Sequence, residues 1–262
     1  FKLHPGVVGL YYNTELTEEA GLGDLKPESW EEIVEIGRKL TKKEGDRITQ
    51  FGFFPAFTTT PHFYFQLSRA WGGDILSRDG KQALVNTEPF MKGLQFVQDM
   101  ILVDRVAPTQ AEVPDSAFET RVMATMQSGS WSKSLPSRID FEVKDVLMPK
   151  GPGGKIGKWM VTDVICANAK TQHPNEAFEL VKMLCGQELG IRLGEGRGTG
   201  ASGTCGGRKD VFESERLMKN PLHPIWTEAV SVPEDGWEAV VPANTRGAEF
   251  NTTLQQMLAP LW

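Results

Sequence analysis

The sequence predicts an α/β fold arranged in two lobes, on three observations. Short runs rich in β-branched and aromatic residues alternate with longer segments whose apolar residues recur at helical spacing, beginning with Val7–Tyr12. A cluster of breakers, Pro149-Lys150-Gly151-Pro152-Gly153-Gly154, interrupts that alternation and reads as a crossover between lobes. The strand-like run Val122–Met126 breaks into Ser128-Gly129-Ser130-Trp131, a small-residue turn ending in an indole. Open α/β sheets hold ligands just beyond the carboxyl ends of their strands, so Trp131 either faces a cleft or plugs a surface loop. An indole combines a broad apolar face with one N–H donor, which suits the CH face and hydroxyl rim of a sugar ring.

The elements follow in order. Val7–Tyr12 reads as a strand ended by Asn13-Thr14, and the Leu16–Ala20 stretch as a short helix closed by Gly21. Ser29 stands as N-cap with Glu32 three residues on, the capping-box spacing, and Trp30, Ile33, Val34, Gly37 and Leu40 then share one helical face. Gln50–Pro55 reads as a strand, and the loop Thr58–Pro61 feeds a helix from His62 to Trp71 that opens on His62, Phe63, Tyr64 and Phe65. Gly72-Gly73 stops it, and Ser77–Lys81 makes a polar turn before Ala83-Leu84-Val85. From Glu88 a helix carries Phe90, Leu94, Val97 and Ile101 on one face. Pro108–Pro114 is a loop, and Asp115 begins a short helix ending near Arg121. Phe141–Leu147 and Trp159–Ala167 are strands, and Asn175–Cys185 is a helix with Ala177, Leu180, Val181 and Leu184 on one face. Gly194–Gly207, with seven Gly, carries no periodic pattern. Val211–Asn220 and Pro224–Val230 read as short helices, Val240–Pro242 as extended, and Gly247–Trp262 as a final helix.

Composition bounds the chemistry. With 262 residues and 40% apolar content the chain supports a substantial core, as one large domain or two smaller ones. No apolar run reaches the ~18 residues that suggest a membrane span, and the opening stretch lacks the blocks of a signal peptide. The net charge of −6, without a basic block, argues against a nucleic-acid partner. Cys166, Cys185 and Cys205 form no CxxC, so neither a zinc site nor a disulfide framework is indicated. Cys166 and Cys185 pair if strand and helix lie side by side, and otherwise stand as buried free thiols. His4, His62, His173 and His223 are scattered, so no metal is expected. Gly198-Thr199-Gly200-Ala201-Ser202-Gly203 matches GxGxxG, but no strand precedes it and no helix starts inside it. No dinucleotide or other cofactor is therefore expected, and the loop either brings backbone N–H groups to a small ligand or is plain surface. No Gly-x-Ser-x-Gly marks a hydrolase nucleophile.

One ordered series spans nearly the whole chain: Tyr12-Asn13, Pro27-x-Ser29-Trp30-Glu31-Glu32, Gly52-Phe53, Ala70-Trp71-Gly72-Gly73, and Met123-x-x-Met126-x-x-Gly129-x-Trp131. It continues in Pro149-x-Gly151-Pro152, Pro174-Asn175-x-Ala177-Phe178 and Gly207-Arg208-x-Asp210-Val211. This series resembles the family 1 extracellular solute-binding proteins of ABC importers, the group that includes maltodextrin-binding protein. The resemblance implies a type II periplasmic-binding-protein-like α/β fold whose two lobes close on a carbohydrate or similar solute. It implies a non-catalytic subunit that delivers its solute to the ABC permease from the periplasm or a lipid anchor at the cell surface. A secreted carbohydrate-active enzyme and a sensor lobe for a signalling receptor are the alternatives. Family members carry a longer N-terminal part, so the chain is expected to be a fragment. On this reading residues 7–147 and 212–262 form the C-terminal lobe and 148–211 the second part of the N-terminal lobe. Carried over by position, the solute-facing candidates are His62, Phe63, Tyr64, Gly129, Trp131, the Gly-rich loop and Arg246.

Overall fold

The computed structural model describes residues 2–5, 8–56, 63–158, 162–195, 208–226 and 245–262, with 2–5 and 162–164 described by backbone alone. The chain divides into two compact units. The larger comprises Val8–Ser128, Phe141–Trp159 and Pro233–Trp262, and the smaller Phe1–Val7, Gly129–Asp140 and Met160–Val232.

The larger unit begins with strand β2 (Val8–Asn13), β1 being a short strand of the smaller unit (Lys2–Pro5). Every residue of β2 is buried, and Asn13 ends it by accepting the Leu16 N–H on its side-chain oxygen at 3.2 Å, which caps α1 (Thr14–Glu19). Gly21, at φ 70°, closes that helix as expected. Helix α2 (Trp30–Leu40) is capped by Ser29, whose Oγ accepts from Glu32 N at 3.1 Å. The Glu32 carboxylate reaches one residue further back than a standard capping box, accepting from Glu28 N at 2.8 Å. All five residues of the expected apolar face are buried.

After α2 come β3 (Lys42–Glu44) and β4 (Arg47–Phe54), a hairpin turned through Gly45 at φ 61°. Pairing with β3 is why β4 starts three residues before the expected Gln50. Helix α3 (Phe63–Ala70) and helix α4 (Glu88–Leu102) follow, and Phe90, Leu94, Val97 and Ile101 of α4 are all buried. Of the run Ala83-Leu84-Val85 only an isolated bridge from Ala83 to Leu76 forms. The helix expected over Asp115–Arg121 is instead a series of turns, because Ser116 and Arg121 take left-handed φ values of 53° and 62°. Strand β5 (Met123–Gly129) pairs parallel with β4, and β6 (Val143–Leu147) pairs antiparallel with β2. The sheet order is β3-β4-β5-β2-β6.

Where α2 crosses the sheet, two glycines meet. A Cβ built on Gly52 of β4 would lie 2.1 Å from the carbonyl oxygen of Gly37 in α2. The obstacle is backbone on a packed helix, so Gly52→Ala is expected to cost about 1–3 kcal/mol or more by forcing α2 off the sheet. Urea unfolding followed by circular dichroism measures it, and an unchanged midpoint would show that helix and sheet do not approach so closely.

The smaller unit holds a two-stranded antiparallel sheet of β1 with β7 (Thr162–Val164), a pairing for which β1 carried no sequence signal. Helices α5 (Pro174–Leu184), α6 (Gln187–Gly194), α7 (Lys209–Phe212) and α8 (Glu215–Met218) follow. Ile191, Val211 and Leu217 make a small core with Phe212 against it. Ser214, accepting the Leu217 N–H, starts α8 afresh and so divides the single helix expected over Val211–Asn220. Of Ala177, Leu180, Val181 and Leu184, the residues expected to share one face of α5, only Val181 is buried. Cys166 is exposed and Cys185 half-buried, and both are free, so neither the pairing nor a deeply buried thiol holds for Cys166. Helix α9 (Gly247–Leu258) and a closing 3-10 turn complete the larger unit. Most of the Gly-rich loop, Cys205, most of Pro224–Val230 and Val240–Pro242 lie outside the described residues.

Candidate functional site

Strand β5 prepares the candidate site. Its parallel register with β4 pairs Phe54 with Met126, after which β5 continues for three residues to Gly129. The strand therefore runs through the Ser128-Gly129 pair that the sequence marked as a turn. Gln127, 1% exposed, donates from Nε2 to Oε1 of Gln66 on α3, fastening that helix to the strand inside the larger unit. Gln66 Nε2 and Gln127 Oε1 have no further partner among the described residues, a costly state for buried amides, at about 1–3 kcal/mol per group.

In the smaller unit the chain leaves Gly129 as a 3-10 segment, Ser130–Ser137. The Trp131 indole folds back over Gly129, since a Cβ there would lie 2.1 Å from ring atom Cζ3. Absence of a side chain at 129 is thus what lets the ring lie against the backbone. Trp131 remains half-buried while Ser130, Ser132, Lys133, Ser134 and Leu135 around it are buried.

Lys133 anchors this segment. Its Nζ lies 3.3 Å from His223 Nδ1, and His223 Nε2 lies 2.7 Å from the Phe212 carbonyl oxygen. A carbonyl can only accept, so Nε2 carries the proton and Nδ1 accepts from the lysine. Burial, and then the Lys133 ammonium, push the His223 pKa down to about 4. The Lys133 ammonium also lies 5.7 Å from the Phe212 ring centre, and Asn220 Nδ2 donates to the Lys133 carbonyl at 3.1 Å. Beside the segment is a hollow of about 450 Å³ lined by Lys133, Ser134, Ser137, Glu195, Arg216 and Asn220, among others. Arg216 is held there by Glu195, at 3.0 and 2.8 Å, and by Glu188 at 3.0 Å. Such a wall offers N–H and O–H groups beside the Glu195 carboxylate, and Trp131 is not among its lining residues. Among the described residues no group of three or more His, Cys, Asp or Glu stands ready to hold a metal ion.

The sequence-based candidates fare differently. Gly129 and Trp131 come into direct contact, as one ring laid on one glycine. Phe63 and Tyr64 are each 1% exposed. Tyr64 packs edge-on to Phe90 of α4 at 6.2 Å and stacks on Trp262 at 6.3 Å, and burial pushes its phenol pKa up. These two rings belong to the core instead of an open face, and Tyr64 is covered by α4 and the chain's last residue. His62 lies outside the described residues. Arg246 is exposed at the start of α9 beside a shallow hollow formed with Leu76, Lys81 and Phe250, and its Nε donates to Glu249 at 2.7 Å. Sequence reasoning missed both the Gln66–Gln127 tie and the Lys133–His223 pair. Period-2 alternation continued past Met126 would have turned Gln127 to the side of Thr125, the one available signal.

The profile of the family described as bacterial extracellular solute-binding protein matches residues 3–188. A probable ABC transporter-binding protein of Deinococcus radiodurans is 25% identical over 264 residues, covering 92% of this chain and 58% of that protein. An arabinooligosaccharide-binding protein of Halalkalibacterium halodurans is 31% identical over 104 residues, 40% of this chain and 22% of its own length. The chain thus spans less than two thirds of these curated relatives. Among solved structures, a maltose/maltodextrin-binding domain from Bdellovibrio bacteriovorus bound to maltotriose is similar with a TM-score of 0.78 at 20% identity, covering 100% of this chain and 68% of that one. A solute-binding protein from Thermotoga lettingae bound with α-D-tagatose gives 0.78 at 20% identity, covering 100% and 66%. These likenesses establish a mixed α/β periplasmic-binding-protein fold, matched along about two thirds of its usual length.

Proposed function

The chain belongs to the family of bacterial extracellular solute-binding proteins, and from that premise we propose that it takes up a sugar or oligosaccharide for an ABC importer and hands it to the membrane permease. A protein of this family works outside the cytoplasm, here in the periplasm or on a lipid anchor. Solute-binding proteins bind and release without chemistry, so the secreted carbohydrate-active enzyme is not carried further. The observation that supports a sugar is the half-buried Trp131 indole lying on Gly129. A half-buried ring so placed would stack on the CH face of a pyranose, with neighbouring N–H and O–H groups bonding the hydroxyls.

Titrating the intrinsic tryptophan fluorescence of the polypeptide encoded by the complete reading frame against a panel of sugars is expected to give a saturable shift. A shift with amino acids, metal ions or phosphate alone would remove the sugar reading. Trp131→Ala is expected to weaken sugar binding by about 1–3 kcal/mol while leaving the thermal transition in place. A large fall in melting temperature with unchanged affinity would make Trp131 a packing residue.

A further inference from the structure

The larger unit holds a hollow of about 640 Å³ that shares no residue with the candidate site. Such a volume lies within the roughly 300–1,000 Å³ of ligand pockets. Arg47, Ile48 and Thr49 from the start of β4 form part of its wall, together with Val122, the residue before β5. The hollow therefore lies at the starts of two parallel strands, whereas Trp131 follows the far end of the second.

One edge of β4 is unpaired there. Strand β5 joins β4 only from Phe51, whose N–H donates to the Val122 carbonyl at 2.8 Å. Residues Arg47 to Gln50 thus have β3 on one side and no strand on the other among the described residues. Even the pairing with β3 is interrupted, since Lys43 faces Ile48 and Lys42 faces Gln50, which leaves Thr49 as the extra residue of a bulge. Main-chain donors and acceptors along such an edge are a template for a further strand.

The remaining wall comes from the connection between α4 and β5. Val113 and Pro114 add apolar surface to that of Phe51. Arg105 is fixed by two contacts to the Glu112 carboxylate, at 2.6 and 3.3 Å, and its guanidinium lies 5.8 Å from the Phe51 ring centre. The same connection contains all three non-glycine residues with left-handed φ among the described residues, Arg105, Ser116 and Arg121. Backbone held in that uncommon region gathers at binding sites. Of the two cations lining the hollow, Arg105 is taken by Glu112, whereas Arg47 is exposed and has no ion pair among the described residues. The lining acid left over, Asp46, sits in the hairpin turn before β4 begins.

We propose that this hollow is a strand-addition site for an extended peptide of a partner protein. The peptide pairs its backbone with Arg47–Gln50, turns an apolar side chain onto Phe51, Val113 and Val122, and carries a carboxylate that meets the Arg47 guanidinium. A second copy of this chain is a poorer occupant, because its own matching edge is flanked by the same Val113 and Pro114 wall.

The test uses the polypeptide encoded by the complete reading frame and a panel of fluorescein-labelled six-residue peptides of alternating apolar and polar residues, each made as free acid and as C-terminal amide. Fluorescence anisotropy is expected to show saturable binding, with the acid form held roughly tenfold more tightly than the amide. Hydrogen exchange over 47–51 is expected to slow when the peptide is bound. Arg47→Glu is expected to erase the preference for the acid, and Val113→Trp, by filling the hollow, to weaken every peptide by roughly tenfold or more. Arg47 is exposed and Val113 half-buried, so a thermal melt is expected to show both variants folded. Absence of saturable binding across the panel, or binding that neither substitution alters, would overturn the proposal. So would a dimer in sedimentation with 47–51 protected before any peptide is added, which would make a second copy the occupant.

Discussion

Replacing Trp30 with Ala is expected to destabilise the larger unit by about 3–5 kcal/mol, the usual cost of truncating a fully packed tryptophan. Trp30 is 0% exposed at the first turn of α2, edge-on to Trp71 at 5.2 Å and to Phe96 at 6.3 Å. Its ring links α2 to the end of α3 and to α4, so its loss leaves a cavity bounded by three elements that cannot collapse together. Urea unfolding followed by far-ultraviolet circular dichroism measures the effect without relying on the removed fluorophore. A loss below about 1 kcal/mol would mean that the site refills, contrary to the close packing of protein interiors. Set beside Trp131→Ala, the experiment is expected to place the two indoles in opposite roles, Trp30 acting on stability and Trp131, on the proposed function, on affinity.

Acid is expected to remove about 3 kcal/mol from the smaller unit as pH falls from 7 to 4, through His223 alone. The residue is 0% exposed and its pKa is depressed from 6.5 to about 4. A base whose folded pKa is lowered binds its proton more readily when unfolded, so between these two values the unfolded state takes up protons first. The stabilisation is therefore complete above pH 6.5, declines as pH drops, and is spent below about 4. Structurally, protonated His223 would set a second cation 3.3 Å from the Lys133 ammonium and take away the lysine's acceptor. Comparing urea midpoints of the parent chain and His223→Gln from pH 7 to 4 isolates this contribution from the carboxylates, which titrate in both. Parallel curves would show that His223 is not held neutral. Because Lys133 lies two residues from Trp131, solute affinity is expected to fall in the same pH range.

Local periodicity was readable wherever burial is repeated along one face. Trp30, Ile33, Val34, Gly37 and Leu40 on α2, and Phe90, Leu94, Val97 and Ile101 on α4, lie inside the fold as their spacing requires. The Ser29 cap and the Gly21 stop were equally legible, since each satisfies backbone groups only a few residues away. The ordered motifs from Tyr12-Asn13 to Asp210-Val211 added the family, and with it the fold class.

Other features depended on partners far away in the chain. His62 to Phe65 form an aromatic run that reads the same for a ligand face and for a core, and what covers Tyr64 is Phe90 and Trp262. Lys133 and His223 stand 90 residues apart, and neither carries a mark that it pairs with the other. Gly129 and Trp131 were visible as a glycine beside an indole, but the ring's return over the bare Cα follows from how the strand is continued into the 3-10 segment. The sequence by itself thus determined the helices, most strands, the caps and the family, because helix and strand geometry relate residues within one or two turns. Which side chains meet across long separations was decided by the tertiary structure alone, because sheet order and helix packing choose those neighbours and no local spacing encodes them.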